Sequence, residues 1–139
     1  MEKLTVKDVS GSRSSPCLEG DSIAQVVEYF TKSELPLCPV TDAAGKVTGL
    51  LSFDSLKSIL SDRDAWNWIL VADVMEPLHE YVTCDTPLQE ASDKLDQFQA
   101  DAMVVIESLE SRKPAGILTR RDLLREVRSR LLQSRTNEK

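Results

Sequence analysis

The residues of this sequence with the clearest chemical potential are a threonine, two arginines and an aspartate at positions 119–122. An apolar run before them predicts a strand and a periodic run after them predicts a helix, so Thr119 lies where a strand passes into a helix. The first N–H groups of a helix have no partner within it, and the helix dipole favours anions there. We therefore expect a phosphate at this point, with the Thr119 hydroxyl as a donor and Arg120 or Arg121 as counter-charge.

Asp122 adds a second function within the same turn. A carboxylate has enough acceptor sites to take hydrogen bonds from two adjacent ribose hydroxyls. An acid that binds hydroxyls beside a helix start that binds phosphate is the arrangement of other nucleotide sites. The alternative is a plain capping pair, Thr119 with Asp122, which would stabilise any helix without binding a ligand.

The segment belongs to a pattern that occurs twice in the chain. A repeat of this period indicates one supersecondary unit used twice, with the two units completing each other's core, and it makes a cleft between them the first place to expect a ligand. The first three matched segments are separated by 65 residues and the last by 67: 6–9 with 71–74, 21–23 with 86–88, 39–42 with 104–107, and 49–52 with 116–119.

Each copy reads as strand, helix, strand, strand, helix, which predicts an α/β (α+β) fold. Ser22 precedes an apolar-periodic run and Gln25 stands three positions later, so we predict a capping box at the start of the first long helix. In the second copy Thr86 is expected to cap the helix and Pro87 to be its first residue. Between the copies lie Trp66 and Trp68, which either extend the core or form an exposed docking patch.

The composition excludes some classes of function. The chain has 139 residues and a net charge of −6, which argues against a general nucleic-acid-binding protein because such proteins need a basic surface. The charge is uneven: residues 120–139 hold seven basic and three acidic side chains, a net +4. We read this basic final segment as a solvated face or, alternatively, a docking surface.

Cysteine usage and hydropathy indicate the compartment. Cys17, Cys38 and Cys84 are an odd number without metal-ligand spacing, and His79 is the only histidine, so we expect reduced, buried thiols, no metal and no cofactor. No apolar run is long enough to span a bilayer and no signal peptide begins the sequence, which predicts a cytoplasmic protein. No nucleophile–base pair and no phosphate-loop lysine motif is present, so we do not expect an enzyme.

Two such units, each closing on a Gly-apolar-apolar-Ser/Thr segment, resemble the tandem cystathionine-β-synthase (CBS) domain pair, also called a Bateman module. The motifs that carry the resemblance are VADVM at 71–75 and GILTRRD at 116–122. The resemblance implies two β-α-β-β-α repeats packed as a pseudo-two-fold module, with repeats at 4–60 and 71–132, a bridge at 61–70 and a disordered tail at 133–139. It also implies a regulatory module that binds AMP, ADP or ATP, and a flat homodimer.

When the family's binding positions are transferred to this sequence, the resemblance implies that the threonine, arginines and aspartate of 119–122 bind ribose and phosphate. It places the adenine base near five residues of the first repeat, where backbone groups and apolar contacts would hold it: Ser14, Ser15, Leu35, Pro36 and Leu37.

The first repeat departs from this pattern. Ser55 stands where the second repeat has Asp122, and Asp54 is one residue early, which rotates its side chain about 100° around the helix. Phe53 and Asp54 replace the two arginines. We therefore expect the second cleft, bordered by Ser52, Tyr81, Thr83 and Asp101, to be degraded, and we expect one nucleotide per chain.

A weaker resemblance concerns the parent protein. The bridge from 60 to 70 and the residues VADVMEP after it resemble the cytosolic C-terminal tails of bacterial chloride-channel (CLC) family transporters. This would make the chain the regulatory domain of an ion transporter at the cytosolic face of a membrane. The alternatives are a ligand-free dimerisation scaffold, and a nucleotide sensor attached to another transporter or to an enzyme.

Overall fold

The computed structural model of the chain describes residues 4–9 and 15–137, the last five of these by their backbone alone. It confirms the mixed α+β fold with two copies of strand, helix, strand, strand, helix. The first copy consists of strand β1 (Cys17–Leu18), helix α1 (Ile23–Ser33), strands β2 (Leu37–Thr41) and β3 (Val47–Ser52), and helix α2 (Phe53–Leu60).

The bridge and the second copy follow. The bridge forms a 3₁₀ helix (Arg63–Asn67). The elements after it are helix α3 (Val71–Val74), strands β4 (Glu76–Pro77) and β5 (Tyr81–Thr83), helix α4 (Leu88–Gln97), strands β6 (Ala102–Ile106) and β7 (Pro114–Thr119), and helix α5 (Arg120–Asn137).

The strands form two small sheets of similar construction. In the first sheet β1 is parallel to β2, β2 is antiparallel to β3, and β4 adds to the other edge of β3. In the second sheet β5 is parallel to β6, and β6 is antiparallel to β7. Apolar side chains of both sheets, with Val47, Val104, Ile106 and Ile117 fully or almost fully buried, form the core that joins the repeats.

The capping predictions succeed at one helix and fail at the other. The Gln25 side chain accepts a hydrogen bond from the Ser22 backbone N–H at 2.8 Å, as expected of a capping box. Helix α4, however, begins at Leu88 rather than at Pro87. The Thr86 hydroxyl accepts a hydrogen bond from the N–H of Thr83 at 2.9 Å, so it fixes the end of β5 instead of capping the helix.

The segment that begins each repeat in the sequence packs against the other repeat. A 3₁₀ helix (Val6–Asp8) places Val6 in the core of the second copy, and the Val6 N–H donates to the carbonyl of Thr86 at 2.9 Å. Helix α3 places Val71 in the core of the first copy, and its N–H donates to the carbonyl of Asp21 at 2.8 Å. The two repeats therefore complete each other's cores by exchanging these short helices.

Two regions differ from the sequence expectations. Helix α5 continues to Asn137, so the backbone of residues 133–137 is helical where we expected a disordered tail. The segment contains neither glycine nor proline to end the helix.

The two tryptophans of the bridge differ in burial, so one extends the core and the other is exposed. Trp66 packs against the first core and its indole N–H donates to the carbonyl of Ile59 at 3.2 Å, whereas Trp68 is 77% exposed.

Candidate functional site

The junction of β7 and α5 is fixed by two hydrogen bonds between Thr119 and Asp122. The Thr119 N–H donates to an Asp122 carboxylate oxygen at 3.2 Å, and the Asp122 N–H donates to the Thr119 hydroxyl oxygen at 3.1 Å. Gly116, three residues earlier, has φ +147°, a conformation that favours glycine. Asp122 is only 6% exposed, so its carboxylate is held in a defined position at the start of α5.

A cleft of about 550 Å³, here called the first cleft, lies beside this junction. One wall is the turn that follows α1 in the first repeat, and the other is the start of α5 in the second. It is lined by Ser33, Glu34, Leu35, Pro36, Asp101, Thr119, Arg120, Arg121, Asp122 and Arg125. The structure thus brings Leu35 and Pro36 together with the four predicted residues of 119–122.

The arginines of the first cleft differ in how they are used. The Arg120 guanidinium donates to the Asp96 carboxylate at 2.8 Å and to the Leu95 carbonyl at 3.0 Å, so it ties α5 to α4. Arg121 is exposed and lines the cleft together with Arg125. The sequence analysis did not identify Arg125. Its four-residue spacing from Arg121 could have indicated it, because this spacing puts both side chains on one side of the helix.

The helix start offers fewer free donors than a bare helix terminus. The Arg120 N–H donates to the carbonyl of Asp101 at 2.9 Å, and the Asp122 N–H is used by Thr119. The Thr119 hydroxyl accepts that bond, so its own proton remains available to a ligand. Counter-charge for an anion here comes mainly from the Arg121 and Arg125 side chains.

Two other residues predicted to hold the base, Ser15 and Leu37, do not line the first cleft. Leu37 lines the cleft on the other side of the module, and Ser15 lines a surface depression with Cys17 and Tyr29. Ser14 lies outside the described residues. The resemblance placed Leu37 beside Leu35 and Pro36 by position, but β2 begins at Leu37, and this side chain packs against the core that joins the repeats.

A second cleft of about 310 Å³ occupies the equivalent position in the other half of the module. Leu37, Leu50 and Ser52 from the first repeat line it, together with Ala102 from the second and Glu76 from β4. The Ser52 hydroxyl donates to the Glu76 carboxylate at 3.0 Å. No arginine or lysine is among its described lining residues, so this cleft carries negative rather than positive charge.

The residues predicted to border the second cleft are scattered, apart from Ser52. Asp101 lines the first cleft, and Tyr81 and Thr83 line a separate surface pocket. Asp54 points away and forms an exposed ion pair with Lys57 at 3.0 Å. Ser55 forms a reciprocal cap with Ser52, whose hydroxyl accepts from the Ser55 N–H at 3.1 Å.

Strand β4 supplies the most important difference between the clefts. Its Glu76 lies opposite Leu50, and its backbone passes so close to Gly49 that a Cβ there would lie 2.5 Å from the Glu76 carbonyl oxygen. Gly49 is therefore required for β4 to pair with β3. Sequence reasoning did not identify Glu76, because only the pairing of β4 with β3 brings its carboxylate to Ser52.

Two kinds of feature are absent from the described residues. The part of the chain that the structure describes has no group of three or more His, Cys, Asp or Glu side chains placed to hold a metal ion. Among the same residues, no helix combines the length and the apolar character that crossing a bilayer requires.

Comparison with known proteins shows which fold the chain has. Residues 71–129 match the family model of the CBS domain. The CBS domain pair of protein MJ0100, in complex with 5-methylthioadenosine and S-adenosyl-L-methionine, superposes with a TM-score of 0.75 at 19% identity, over 93% of this chain and 99% of that one. CBSX2 in complex with AMP gives 0.75 at 22% identity, over 90% and 96%.

A third similar structure comes from a membrane protein. The CBS domain of a CBS domain-containing membrane protein from Sphaerobacter thermophilus gives a TM-score of 0.72 at 18% identity, over 88% of this chain and 87% of that one. No curated protein sequence matches the chain. The chain as a whole therefore has the fold of a CBS domain pair.

Proposed function

We propose that this CBS pair is a regulatory module that binds one adenine nucleotide per chain, in the first cleft. The observation that carries the proposal is the buried Asp122 carboxylate, held by Thr119 at the edge of a cleft that also contains Arg121 and Arg125. The carboxylate would accept ribose hydroxyls, and the arginines and the Thr119 hydroxyl would bind phosphate.

Apolar contacts favour a base in the same cleft. Leu35 and Pro36 form the wall opposite the arginines, and their side chains offer a surface for a flat aromatic ring. The bound ligands of MJ0100 and CBSX2 are adenosine compounds, which supports adenine as the base. In this proposal the nucleotide is a regulatory signal and not a cofactor, since CBS domain proteins are typically regulatory rather than catalytic.

Regulation would follow from the position of the cleft between the repeats. A nucleotide that contacts residues 35–36 and 119–125 bridges the two repeats and favours one relative arrangement of them. The effect on an attached protein is limited by the difference in affinity for the two arrangements, typically about 1–3 kcal/mol. A homodimer, which we also propose, would transmit the change between two copies; sedimentation at the concentrations used for binding tests this part.

The test of nucleotide binding is calorimetric titration of the chain with adenosine, AMP, ADP and ATP. We expect saturable binding with one site per chain, and Asp122→Ala should weaken it about tenfold to a hundredfold, because a charge-assisted hydrogen-bond partner is lost. Asp122→Asn, which keeps the side-chain shape, guards against misfolding. Asp54→Ala removes an acid from the equivalent turn of the first repeat and should leave binding unchanged.

Several outcomes would contradict this proposal. Absence of binding by every adenine compound would favour the ligand-free dimerisation scaffold, and two sites per chain would contradict the single competent cleft. Equal weakening by Asp54→Ala and Asp122→Ala would show that the effect is one of net charge. Melting temperatures of the variants identify any that fail to fold.

We further propose that the parent protein is an ion transporter of the chloride-channel family, with this module at its cytosolic side. The support is the resemblance of residues 60–77 to the tails of such transporters, and the exposed Trp68 as a surface for docking onto the parent. Sequencing the coding region upstream of this segment tests the assignment. Membrane helices of a chloride channel are expected; another transporter, an enzyme domain or no membrane segment would overturn it.

A further inference from the structure

Helix α5 carries a row of arginines that extends beyond the first cleft. Arg121, Arg125 and Arg128 are spaced by four and three residues and are all exposed. At 100° per residue their side chains fall within an arc of about 60°, and at 1.5 Å per residue the row is about 10 Å long. Arg121 and Arg125 line the cleft, and Arg128 stands one turn further along the helix.

The row has no counter-charge among the described residues. None of the three arginines forms a hydrogen bond or an ion pair with them, whereas Arg120 is bound to Asp96 and Arg130 contacts Glu126 at 3.0 Å. The acids of α5 are thus used elsewhere, because Glu126 contacts Arg130 and Asp122 accepts from Thr119. Like charges at these spacings repel and destabilise a helix. An anion bound along the row would remove this repulsion.

The rest of the cleft is consistent with an elongated anion on this side. Asp101 lies 3.7 Å from the Arg120 guanidinium, which offsets its charge. Glu34 lies on the opposite wall, at the turn where the base is proposed to bind. A monophosphate would need only the first arginine of the row, Arg121. Arg128 gains a function only if the ligand extends past Arg125.

We propose that the first cleft selects adenine nucleotides with two or three phosphates over the monophosphate, with Arg125 and Arg128 as the residues that read phosphate number. The inference rests on the proposed function, since it assumes that the base and ribose occupy the cleft. Each added phosphate would meet a further guanidinium, whose planar fork suits phosphate oxygens.

The experiment is calorimetric titration with adenosine, AMP, ADP and ATP in low salt with EDTA, so that free nucleotides are compared. We expect affinity to rise from AMP to ADP to ATP, with ATP about tenfold tighter than AMP. Arg128→Ala should weaken ATP about fivefold, the upper range for an exposed ion pair, and leave AMP unchanged. Arg125→Ala should weaken both ADP and ATP.

Controls separate the local effect from net charge. Lys46→Ala removes one positive charge from an exposed site outside the cleft and should alter no affinity. Arg128→Lys keeps the charge and should retain part of the preference for ATP. Raising the salt concentration should weaken ATP more than AMP, because the additional contacts are exposed.

Different results would overturn phosphate selection and the nucleotide site itself. If adenosine or AMP binds as tightly as ATP, or if Arg128→Ala weakens AMP and ATP equally, phosphate selection is overturned while the nucleotide site stands. If none of the four compounds binds, the nucleotide site itself is overturned and the inference with it.

Discussion

The two helix starts of this module have the same local structure but different chemistry. In the second repeat Thr119 and Asp122 exchange hydrogen bonds at the start of α5, and in the first repeat Ser52 and Ser55 do so at the start of α2. A cap needs only an oxygen at each of two positions, so serine and aspartate serve it equally well. The proposed nucleotide site also needs a carboxylate and cations, and the start of α5 has both in Asp122 and Arg121.

The two clefts also differ in the charged side chains that line them. At the first cleft, arginines stand beside the capped helix start, whereas at the second the capping Ser52 is already bound to the carboxylate of Glu76. A phosphate would meet attraction in one and repulsion in the other. The two halves thus share their packing, while the charges that line their clefts differ.

The comparison is tested most severely in the two cores, where we predict equal effects. Leu51 and Leu118 occupy matching positions on β3 and β7, and both are fully buried. Replacing either by alanine should lower the free energy of unfolding by about 2–5 kcal/mol, because each leaves a cavity. Urea denaturation measures both. A large loss at one site and none at the other would contradict a scaffold built equally from the two repeats.

The next prediction converts the second repeat's helix start to the chemistry of the first. Asp122→Ser should keep the cap, as Ser55 does in the first repeat, but should remove the acceptor for ribose hydroxyls. Nucleotide affinity should fall by about 1.5–3 kcal/mol while the melting temperature stays nearly unchanged. Calorimetry and thermal denaturation check the two halves of this expectation. A lower melting temperature with unchanged affinity would assign Asp122 to capping alone.

A smaller effect concerns a buried thiol of the first repeat. Interaction with the neighbouring Cys17 and burial raise the pKa of the Cys38 thiol above its ordinary value of 9.0. Because the folded-state pKa is the higher one, the stability that this group contributes is complete below pH 9.0 and is lost above it, by about 1.4 kcal/mol per pH unit. Denaturation between pH 8 and 10 should show this loss.

The matched control is Cys84 of the second repeat. Burial, followed by the nearby Asp85, raises the pKa of its thiol as well, but Cys84 is only partly buried. Cys38→Ala should therefore flatten the alkaline loss more than Cys84→Ala does. An equal effect of both variants would show that depth of burial does not govern the titration.

The smallest expected effect is none. Ser55→Asp restores an acid in the first repeat at the position of Asp122, but the Glu76 carboxylate contacts Ser52 beside it, and Phe53 replaces an arginine. The number of nucleotides bound per chain should remain one by calorimetry. A second site created by this substitution alone would mean that one carboxylate, not the whole charge pattern, separates the clefts.

The sequence predicted those features that depend on neighbours along the chain. The order of strands and helices and the Gln25 cap follow from periodicity and capping chemistry. The meeting of residues 35–36 with 119–122 was expected only from the family resemblance. Features that depend on distant packing were missed. The binding of Arg120 to Asp96 and of Glu76 to Ser52 joins residues 24 positions apart, and no local pattern predicts such contacts.

The exchanged short helices also constrain the order of events during synthesis. Val71 is made soon after the first repeat, so that half can close its core at once. Val6 must instead remain without its partners until Leu95 and Leu118 have been translated, which takes on the order of ten seconds at ribosomal speeds. The 3₁₀ helix of residues 6–8 therefore lacks its core partners while the residues between it and Leu118 are translated. Neither repeat, expressed by itself, contains all the residues that its own core requires.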